Sequence, residues 1–479
     1  MHENKNKISG SSVEFVIDKT KPVHIIGGGG VGMSALARLL IHSGFTVSAS
    51  DKNGGKYLQN LAEAGATTWV GSQPHQVPKD AVIFYSSAIP ESDPERLWAV
   101  ENKVPAYPRH VLLETITQQY YTIAVSGTHG KTTTTAWIAY ILELAGMNPS
   151  ALIGGTMVQW HSNVKLGAGT INDKPILVIE ADESDESFLF IKASELIVTN
   201  IDLDHVDHYS DLDQVKEKFR QCIDKCQKSG GLFFPSYEVR DLMDSSMNSW
   251  EKIHTIVDQI SIDEKSHGLL WTSGNLQNST MLFEVGLLGA HNLWNAFAVL
   301  VFALYHGLAI ASIHSAMTNF RGVERRMQKL GKYTNRNGAN VIVVDDYAHH
   351  PTEIKMVLNT FKEKYDHTIV VWEPHRVSRM IYFNSDFQNV FESTIESKNL
   401  FLMDIYDAAG ERSLPEFAAF NEIWQQWNSK AHGVISKLGE YKELNAHIDS
   451  LNRNMAVVFL GAGHSSEYAS HFFEFTKPN

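Results

Sequence analysis

The chain has 479 residues, enough for about three domains with cores of their own at roughly 100–200 residues each. Its 43% hydrophobic and 20% charged residues exclude a mostly disordered, collagen-like or disulfide-built chain. With 41 basic against 54 acidic residues the net charge is −13, so no general basic face for nucleic acid is expected, although a local cationic pocket remains open. Three times along the chain a short β-branched or aliphatic run ends in glycines or polar residues, and a helix-like segment follows, the strand-loop-helix signature of α/β folds. The runs are Val23–Ile26 before Gly27–Gly32, Thr122–Val125 before Ser126–Lys131, and Val341–Val344 before Asp345–His350. Boundaries set in the polar stretches before the second and third runs predict domains 1–118, 119–331 and 332–479.

In the first segment, Gly27-x-Gly29-x-x-Gly32 leads into the helical pattern Met33, Leu36, Ala37, Leu40. Such glycines permit a tight turn and close backbone approach to a diphosphate at a helix N-terminus. Asp51 stands 19 residues beyond Gly32, where it could meet a ribose hydroxyl; alone, the motif suggests NAD.

The second segment reads Ala124-Val-Ser-Gly127-Thr128-His129-Gly130-Lys131-Thr132-Thr133. It holds the Gly-Lys-Thr core of a phosphate loop, in which backbone amides cradle phosphates, Lys131 neutralises the terminal ones and the Thr132 hydroxyl suits Mg2+. Val125 replaces the usual first glycine, but the strand before the loop and the predicted helix Thr134–Leu144 after it support ATP binding. Two further strand-like runs, Pro175–Glu180 and Leu196–Asn200, end in Glu180-Ala-Asp-Glu-Ser-Asp185 and Ile201-Asp-Leu-Asp-His-Val-Asp207. Carboxylates at the ends of parallel strands face the ligand crevice and suit Mg2+, making Glu180 and His205 metal candidates.

The only cysteines, Cys222 and Cys226, form neither a disulfide framework nor a zinc pattern, and residues 221–289 carry little punctuation. Ala296–Tyr305 is the longest apolar run; it reads as a buried helix, short of the roughly 20 residues that span a bilayer. Met1–Lys21 lacks an apolar signal core, so a cytoplasmic protein without membrane insertion is expected. Around these lie Gly289-Ala-His291-Asn292-x-x-Asn295, Arg325-Arg326, Asp345-Asp346-Tyr347-Ala-His349-His350-Pro351 and Pro374-His375-Arg376-x-x-Arg379. All but the Asp-Asp-Tyr cluster read, singly, as helix caps, solvated pairs or core histidines.

Taken in order from about Val23 to Gly463, these motifs resemble the Mur ligase family, ATP-dependent amide-forming enzymes of peptidoglycan assembly, and within it the alanine-adding branch. The resemblance implies an α/β chain of three domains: an N-terminal Rossmann-like domain for a UDP-sugar rather than NAD, a central P-loop ATPase domain with a parallel sheet, and a C-terminal Rossmann-like domain for the amino acid. It places the UDP-sugar on Gly29, Gly30, Val31, Gly32, Asp51, Ser86 and Arg109. ATP falls to Gly127, Thr128, His129, Gly130, Lys131, Thr132 and Thr133, with Asn292 and Asn295 at adenine or ribose and Arg326 and Asp346 reaching from the junction. Mg2+ falls to Thr132, Glu180 and His205, and the amino acid to Tyr347, His349, Arg376 and Arg379, whose guanidinium forks suit a carboxylate.

No paired Ser-His or Cys-His nucleophile is evident, so ATP must supply the activation. The expected course is attack of the UDP-N-acetylmuramate lactyl carboxylate on the γ-phosphate, then attack of L-alanine on the acyl phosphate. Lys131, Glu180, His205 and Arg326 would serve that chemistry, with His349 a candidate base by position alone. Two departures stand out: Arg220 occupies the place of a carbamylated lysine in some relatives, and Met327 that of a common aromatic. The nearest rival is a recycling ligase that adds a tripeptide, disfavoured by Ser184-Asp185 and His375-Arg376-x-x-Arg379. From other classes come a dinuclear metallohydrolase built on Asp204-His205-x-Asp207-His208 and Asp345-Asp346-x-x-His349-His350, and a nucleotide-binding regulator without chemistry. A monomer or weak homodimer is expected.

Overall fold

The computed structural model describes residues 16–184, 186–206, 208–236, 239, 250–273, 279–407 and 417–476. They divide into two compact units. The first takes the chain up to Thr122 with Thr170–Leu177 and Phe190–Ala193; the second takes Ile123–Gly169, Val178–Leu189 and Ser194 onward.

The first unit holds a five-stranded sheet in the order Thr67–Val70, Val47–Asp51, Val23–Ile26, Val82–Tyr85, Ala106–Pro108, every pair parallel. Strand order reverses beside Val23–Ile26, and ligands of open α/β sheets bind at the carboxyl ends of strands at such a point. Gly27–Gly30 lies there and the helix Val31–His42 follows. A buried polar group stiffens this unit: Glu95 accepts from Ser50 Oγ at 2.5 Å, Trp69 Nε1 at 2.8 Å and the Gln73 amide at 2.8 Å, with His24 Nε2 at 3.3 Å.

A second sheet, most of whose residues belong to the second unit, runs Leu232–Pro235, Glu195–Val198, Tyr121–Ser126, Lys174–Glu180, Ser150–Met157, Ser162–Lys165. Its first three strands are parallel and its last pair antiparallel. The helix Lys131–Leu144 springs from the end of Tyr121–Ser126. The poorly punctuated region proves ordered in part: it completes the helix Leu212–Lys228, then gives Leu232–Pro235, the helix Trp250–Asp258 and a small antiparallel sheet of Ile260–Asp263, Gly268–Ser273 and Ser279–Glu284.

The last sheet has the order Gln328–Thr334, Asn340–Asp346, Met455–Leu460, His367–Trp372, Leu400–Met403, Gly433–Ile435. Only the first pair is antiparallel. Period-two alternation divides its core in two. Ile342, Val344, Val458 and Leu460 pack with Ile354, Leu358 and Phe361 of the helix Pro351–Lys364. Val341, Val343, Val457 and Phe459 pack on the other face with Ala469 and Phe472 of the helix Ser465–Thr476. The chain is thus α/β throughout, with three sheets of mainly parallel pairing. Among the described residues, no helix is long and apolar enough to cross a membrane.

Candidate active site

In the first unit the glycine loop is fastened to the neighbouring strand. Gly27 and Gly28 amides donate to the Ser50 carbonyl at 2.9 Å, and the Gly29 amide to Asp51 Oδ2 at 2.9 Å. A Cβ on Gly29 would lie 2.6 Å from Asp51 Cγ, so only glycine lets the two meet. Asp51 therefore shapes the loop itself. Gly30 caps the following helix without a side-chain bond, and Val31 and Gly32 open its first turn. The Ser86 amide donates to the Ile26 carbonyl at 3.1 Å, and the Arg109 guanidinium lies beside Gly32, within 3.5 Å of where a Cβ would stand. All seven residues expected at the UDP-sugar thus gather at one sheet end.

The phosphate loop of the second unit is held from outside by residues whose role the sequence did not reveal. Thr199 Oγ1 and Asn200 Nδ2 donate to the His129 carbonyl at 2.6 and 2.9 Å, and the His129 amide donates to Asn200 Oδ1 at 2.8 Å. A Cβ on Gly127 would come within 2.0 Å of Thr199 Oγ1, and one on Gly130 within 2.4 Å of Asn295 Oδ1; both glycines have positive φ. The loop amides are therefore fixed before any ligand arrives.

Lys131 Nζ donates to Glu183 at 2.8 and 3.1 Å and to the Thr128 carbonyl at 3.1 Å, with Asp182 3.8 Å away. Burial works against its charge, but Glu183, Asp182 and Glu180 hold its pKa above the ordinary lysine value. Burial and Asp182 push Glu183 up to about 7 despite Lys131. Thr132 Oγ1 donates to Glu180 Oε1 at 3.1 Å, while Glu180 Oε2 accepts the Gly154 amide at 2.8 Å. His205, in left-handed backbone at φ 52°, brings Nε2 to 3.9 Å from Glu183. Asp182, Glu183 and His205 offer three ligand atoms within 4.8 Å of one another; Glu183 and Asp182 were missed as single residues although they stand in the acidic motif.

A cavity of about 270 Å3 opens beside the loop. His129, Gly130, Thr133, Asn292, Asn295, Arg326 and Asp346 line it, joined by Met327, Glu353 and others. Asn295 Nδ2 donates to Asn292 Oδ1 at 3.2 Å, and Asn292 Nδ2 to the Leu288 carbonyl at 2.7 Å, which orients both amides. Asp346 accepts the Met327 and Ala348 amides at 2.6 and 2.7 Å; burial pushes its pKa up to about 6 against Arg326. His129 bridges Asp202, at 3.1 Å, and Glu353, at 3.4 Å; these carboxylates overcome burial and hold it protonated to about pH 9.

Beyond the cavity the Tyr347 ring is flanked by Arg325 and Arg326, 4.8 and 4.9 Å from its centroid. His349, its pKa lowered to about 4 by burial and Arg379, packs on His375 at 5.1 Å. Arg376, at φ 66°, caps the short helix Val377–Tyr382. Arg379 is already engaged: Nη2 and Nε donate to Asp204 Oδ1 at 2.7 and 3.3 Å. Arg325 binds the backbone of the Gly461–Gly463 turn, donating to the Gly461 carbonyl at 2.7 Å.

Arg220 lies half exposed on its helix beside Glu217, so it adds nothing to the acidic cluster. The metallohydrolase set does not assemble among the described residues: Asp204 holds Arg379, Asp346 caps backbone amides and His349 faces the Tyr347 carbonyl. Asp185 and Asp207 lie outside the described residues.

Comparison with known proteins agrees along the chain. Residues 22–121 match the Mur ligase family catalytic domain, 125–303 the Mur ligase middle domain and 325–463 the Mur ligase glutamate ligase domain. The UDP-N-acetylmuramate–L-alanine ligase of Aquifex aeolicus is 33% identical over 472 residues, 95% of this chain and 98% of that protein. That of Hydrogenobaculum is 33% identical over 469 residues, 95% and 99% of the two chains. The solved UDP-N-acetylmuramate-alanine ligase of Thermotoga maritima superposes with a TM-score of 0.70 at 25% identity, covering 95% of this chain and 98% of that one. A murein peptide ligase of Psychrobacter arcticus shares the fold, with a TM-score of 0.63 at 20% identity, 95% and 98% covered. Matched domain by domain and over nearly its whole length, the chain belongs to the Mur ligase family.

Proposed function

We propose that this chain is the ATP-dependent ligase that joins L-alanine to the lactyl carboxylate of UDP-N-acetylmuramate in peptidoglycan precursor synthesis. The family is ATP-dependent, and relatives at 33% identity over 95% of the chain carry that activity in their names. The observation that carries the reading is the ring of Lys131, Thr132, Glu180, Glu183 and His205 around a preformed phosphate loop, beside a cavity lined by Asn292, Asn295 and Arg326. The domain limits 1–118, 119–331 and 332–479 and an action in the cytoplasm belong to the same proposal.

In this reading the loop amides of Gly127–Thr133 and the Lys131 ammonium bind the ATP phosphates, and Asn292 and Asn295 orient the nucleoside. Phosphoryl transfer depends chiefly on positioning and charge stabilisation, which Lys131 and Arg326 supply toward the transferring group. The lactyl carboxylate, held on the first unit by Gly29, Gly30, Val31, Gly32, Asp51, Ser86 and Arg109 through its UDP, attacks the γ-phosphate. ADP leaves as the acyl phosphate forms, and the L-alanine amine, held by Tyr347, His349 and Arg376, then attacks its carbonyl, forming the amide and expelling inorganic phosphate. His349 is the candidate base by position; neutral at pH 7 but with its pKa lowered to about 4, it is a weak acceptor for the amine proton unless bound substrates raise it.

The residues present fit Mg2+. Three carboxylates, Glu180, Asp182 and Glu183, stand around the single Lys131 ammonium, an excess of hard oxygen donors that incoming phosphates would enlarge. Thr132 and Glu180 would hold one ion, and His205 with the adjoining carboxylates a second; bound there, Mg2+ neutralises phosphate charge. Phosphate release from ATP is measured with UDP-N-acetylmuramate and Mg2+, adding L-alanine, tripeptide or no acceptor, with mass analysis of the product. Release dependent on L-alanine with one alanine in amide linkage supports the reading; preference for tripeptide moves the chain to the recycling activity, and no dependence on the nucleotide sugar refutes it.

A further inference from the structure

Glu353, in the first turn of the helix Pro351–Lys364, has no part in the assignments above, yet it touches three groups that do. Oε1 lies 3.4 Å from His129 Nδ1 in the phosphate loop and 3.6 Å from Arg326 Nη1. Oε2 accepts the His349 amide at 3.2 Å and lies 3.5 Å from His349 Nδ1. The adjacent Thr352 Oγ1 donates to Asp202 Oδ2 at 2.7 Å, and Asp202 in turn holds the other nitrogen of His129. One helix turn thus grips the phosphate loop through two neighbouring residues.

The side chain of Glu353 is only 14% exposed, and a buried carboxylate stays ionised only where cations face it. Against burial, the hydrogen bond and charge of His129, with Arg326, keep Glu353 well below the ordinary glutamate range, while His349 is neutral at pH 7 and meets it through its amide. His291, Asp346 and His350 also feel its charge, from the helix Ala290–Tyr305, the end of Asn340–Asp346 and the cap of its own helix. An acidic residue in a first turn also complements the helix dipole, a role that needs neither a particular partner nor a loss of kcat on replacement.

Resting on the ligase reading, we propose that Glu353 is a positioning residue of the reaction. Its carboxylate links the His129 ring to Arg326 and to the His349 amide, so the phosphate loop and the acceptor side are held in register.

The test uses the full chain as wild type, Glu353→Gln, Glu353→Asp, His129→Gln and the double variant Glu353→Gln with His129→Gln, with kcat and KM measured for ATP and L-alanine. Misplacement of reacting groups on the ångström scale predicts a kcat about 10- to 100-fold lower for Glu353→Gln, partly restored in Glu353→Asp. Because both changes cut one link, the double variant should fall within about threefold of the worse single variant. A kcat for Glu353→Gln within about twofold of wild type, or losses that multiply in the double variant, would overturn the proposal. If Glu353→Gln fails to fold, Glu353→Asp combined with His129→Gln is judged by the same rule. Wild type lacking L-alanine-dependent phosphate release would bring down the ligase reading and this inference together, whereas an active wild type with an unaffected Glu353→Gln brings down the inference alone.

Discussion

Arg379 separates two roles that the sequence left together. The resemblance assigns it to the amino-acid carboxylate, but its guanidinium already spans Asp204 and His375, with side chains only 4% and 8% exposed in the Arg379–Asp204 pair. Removing one partner of a buried ion pair leaves a desolvated charge and costs about 3–5 kcal/mol, so Arg379→Met should destabilise the second unit by that amount. At about 2 °C per kcal/mol for a unit of this size, its melting midpoint falls by about 6–10 °C at pH 7.5. In wild type, burial raises the Asp204 pKa but Arg379 and the neighbouring histidines more than reverse it, leaving it well below the usual carboxylate range. That stabilisation is complete above the unfolded value of about 3.8 and is lost only as pH falls through the lower folded one. In Arg379→Met the sign inverts: the orphaned carboxylate is raised by burial, so the deficit is full at high pH and shrinks as acidification protonates Asp204. The gap between the two melting curves should therefore narrow from pH 7.5 to pH 5, and Asp204→Asn added to Arg379→Met should recover most of the loss. A midpoint within about 2 °C of wild type together with a raised KM for L-alanine would refute the argument and return Arg379 to the substrate.

Two further outcomes follow. Cys222 and Cys226 are buried on the helix Leu212–Lys228 and burial pushes both thiols up to about 12, so the folded protein should leave an aromatic disulfide reagent untouched at pH 8 while the unfolded chain titrates two thiols. Rapid reaction of either cysteine in the folded state would contradict this burial. In the first unit, Glu95→Ala strips the acceptor from Ser50, Trp69 and the Gln73 amide, and should cost about 3 kcal/mol or more by urea titration. Burial would raise the Glu95 pKa, but His24, Ser50, Gln73 and Trp69 lower it overall, so the wild-type advantage is complete above about pH 4.5 and fades as pH falls further; an advantage that grows on acidification would sink the account.

The order of the fold was written in the sequence wherever a buried parallel strand ran into a sharply different loop. Val23–Ile26, Tyr121–Ser126 and Asn340–Asp346 are short apolar runs with sharp ends, because both faces of such strands are covered; the first two run into loops with glycines at positive φ, the third into the polar stretch Tyr347–His350. The region after Gln221 lacked that punctuation for a physical reason. Its small antiparallel sheet mixes exposed and buried positions irregularly, as in Ser279–Glu284, and the helix Trp250–Asp258 has neither a proline start nor a glycine stop. Period alone could not separate these elements from loop.

The candidate site was legible as letters and illegible as charges. Lys131, Thr132, Glu180 and His205 announce phosphate and metal chemistry through residue type and spacing, since a loop at a strand end can act on little else. What sets the protonation of these groups is a second circle of partners far off in sequence: Glu183 for Lys131, Arg379 for Asp204, Glu353 for His129. Glu183 and Arg379 stand in motifs the sequence displays, but no local pattern says which charge each one meets, because an ion pair leaves no trace on either flanking sequence. The consequence is asymmetric. Without its partners burial would favour the neutral form of His129; with Asp202 and Glu353 it is a cation in the loop, and Glu353 of the helix Pro351–Lys364, with Thr352 bonded to Asp202, contributes to holding it so. The electrostatic state of the loop at His129 therefore depends in part on the helix Pro351–Lys364, whose Glu353 also reaches Arg326 and the His349 amide, so losing that helix's contact would lower the pH at which His129 gives up its proton.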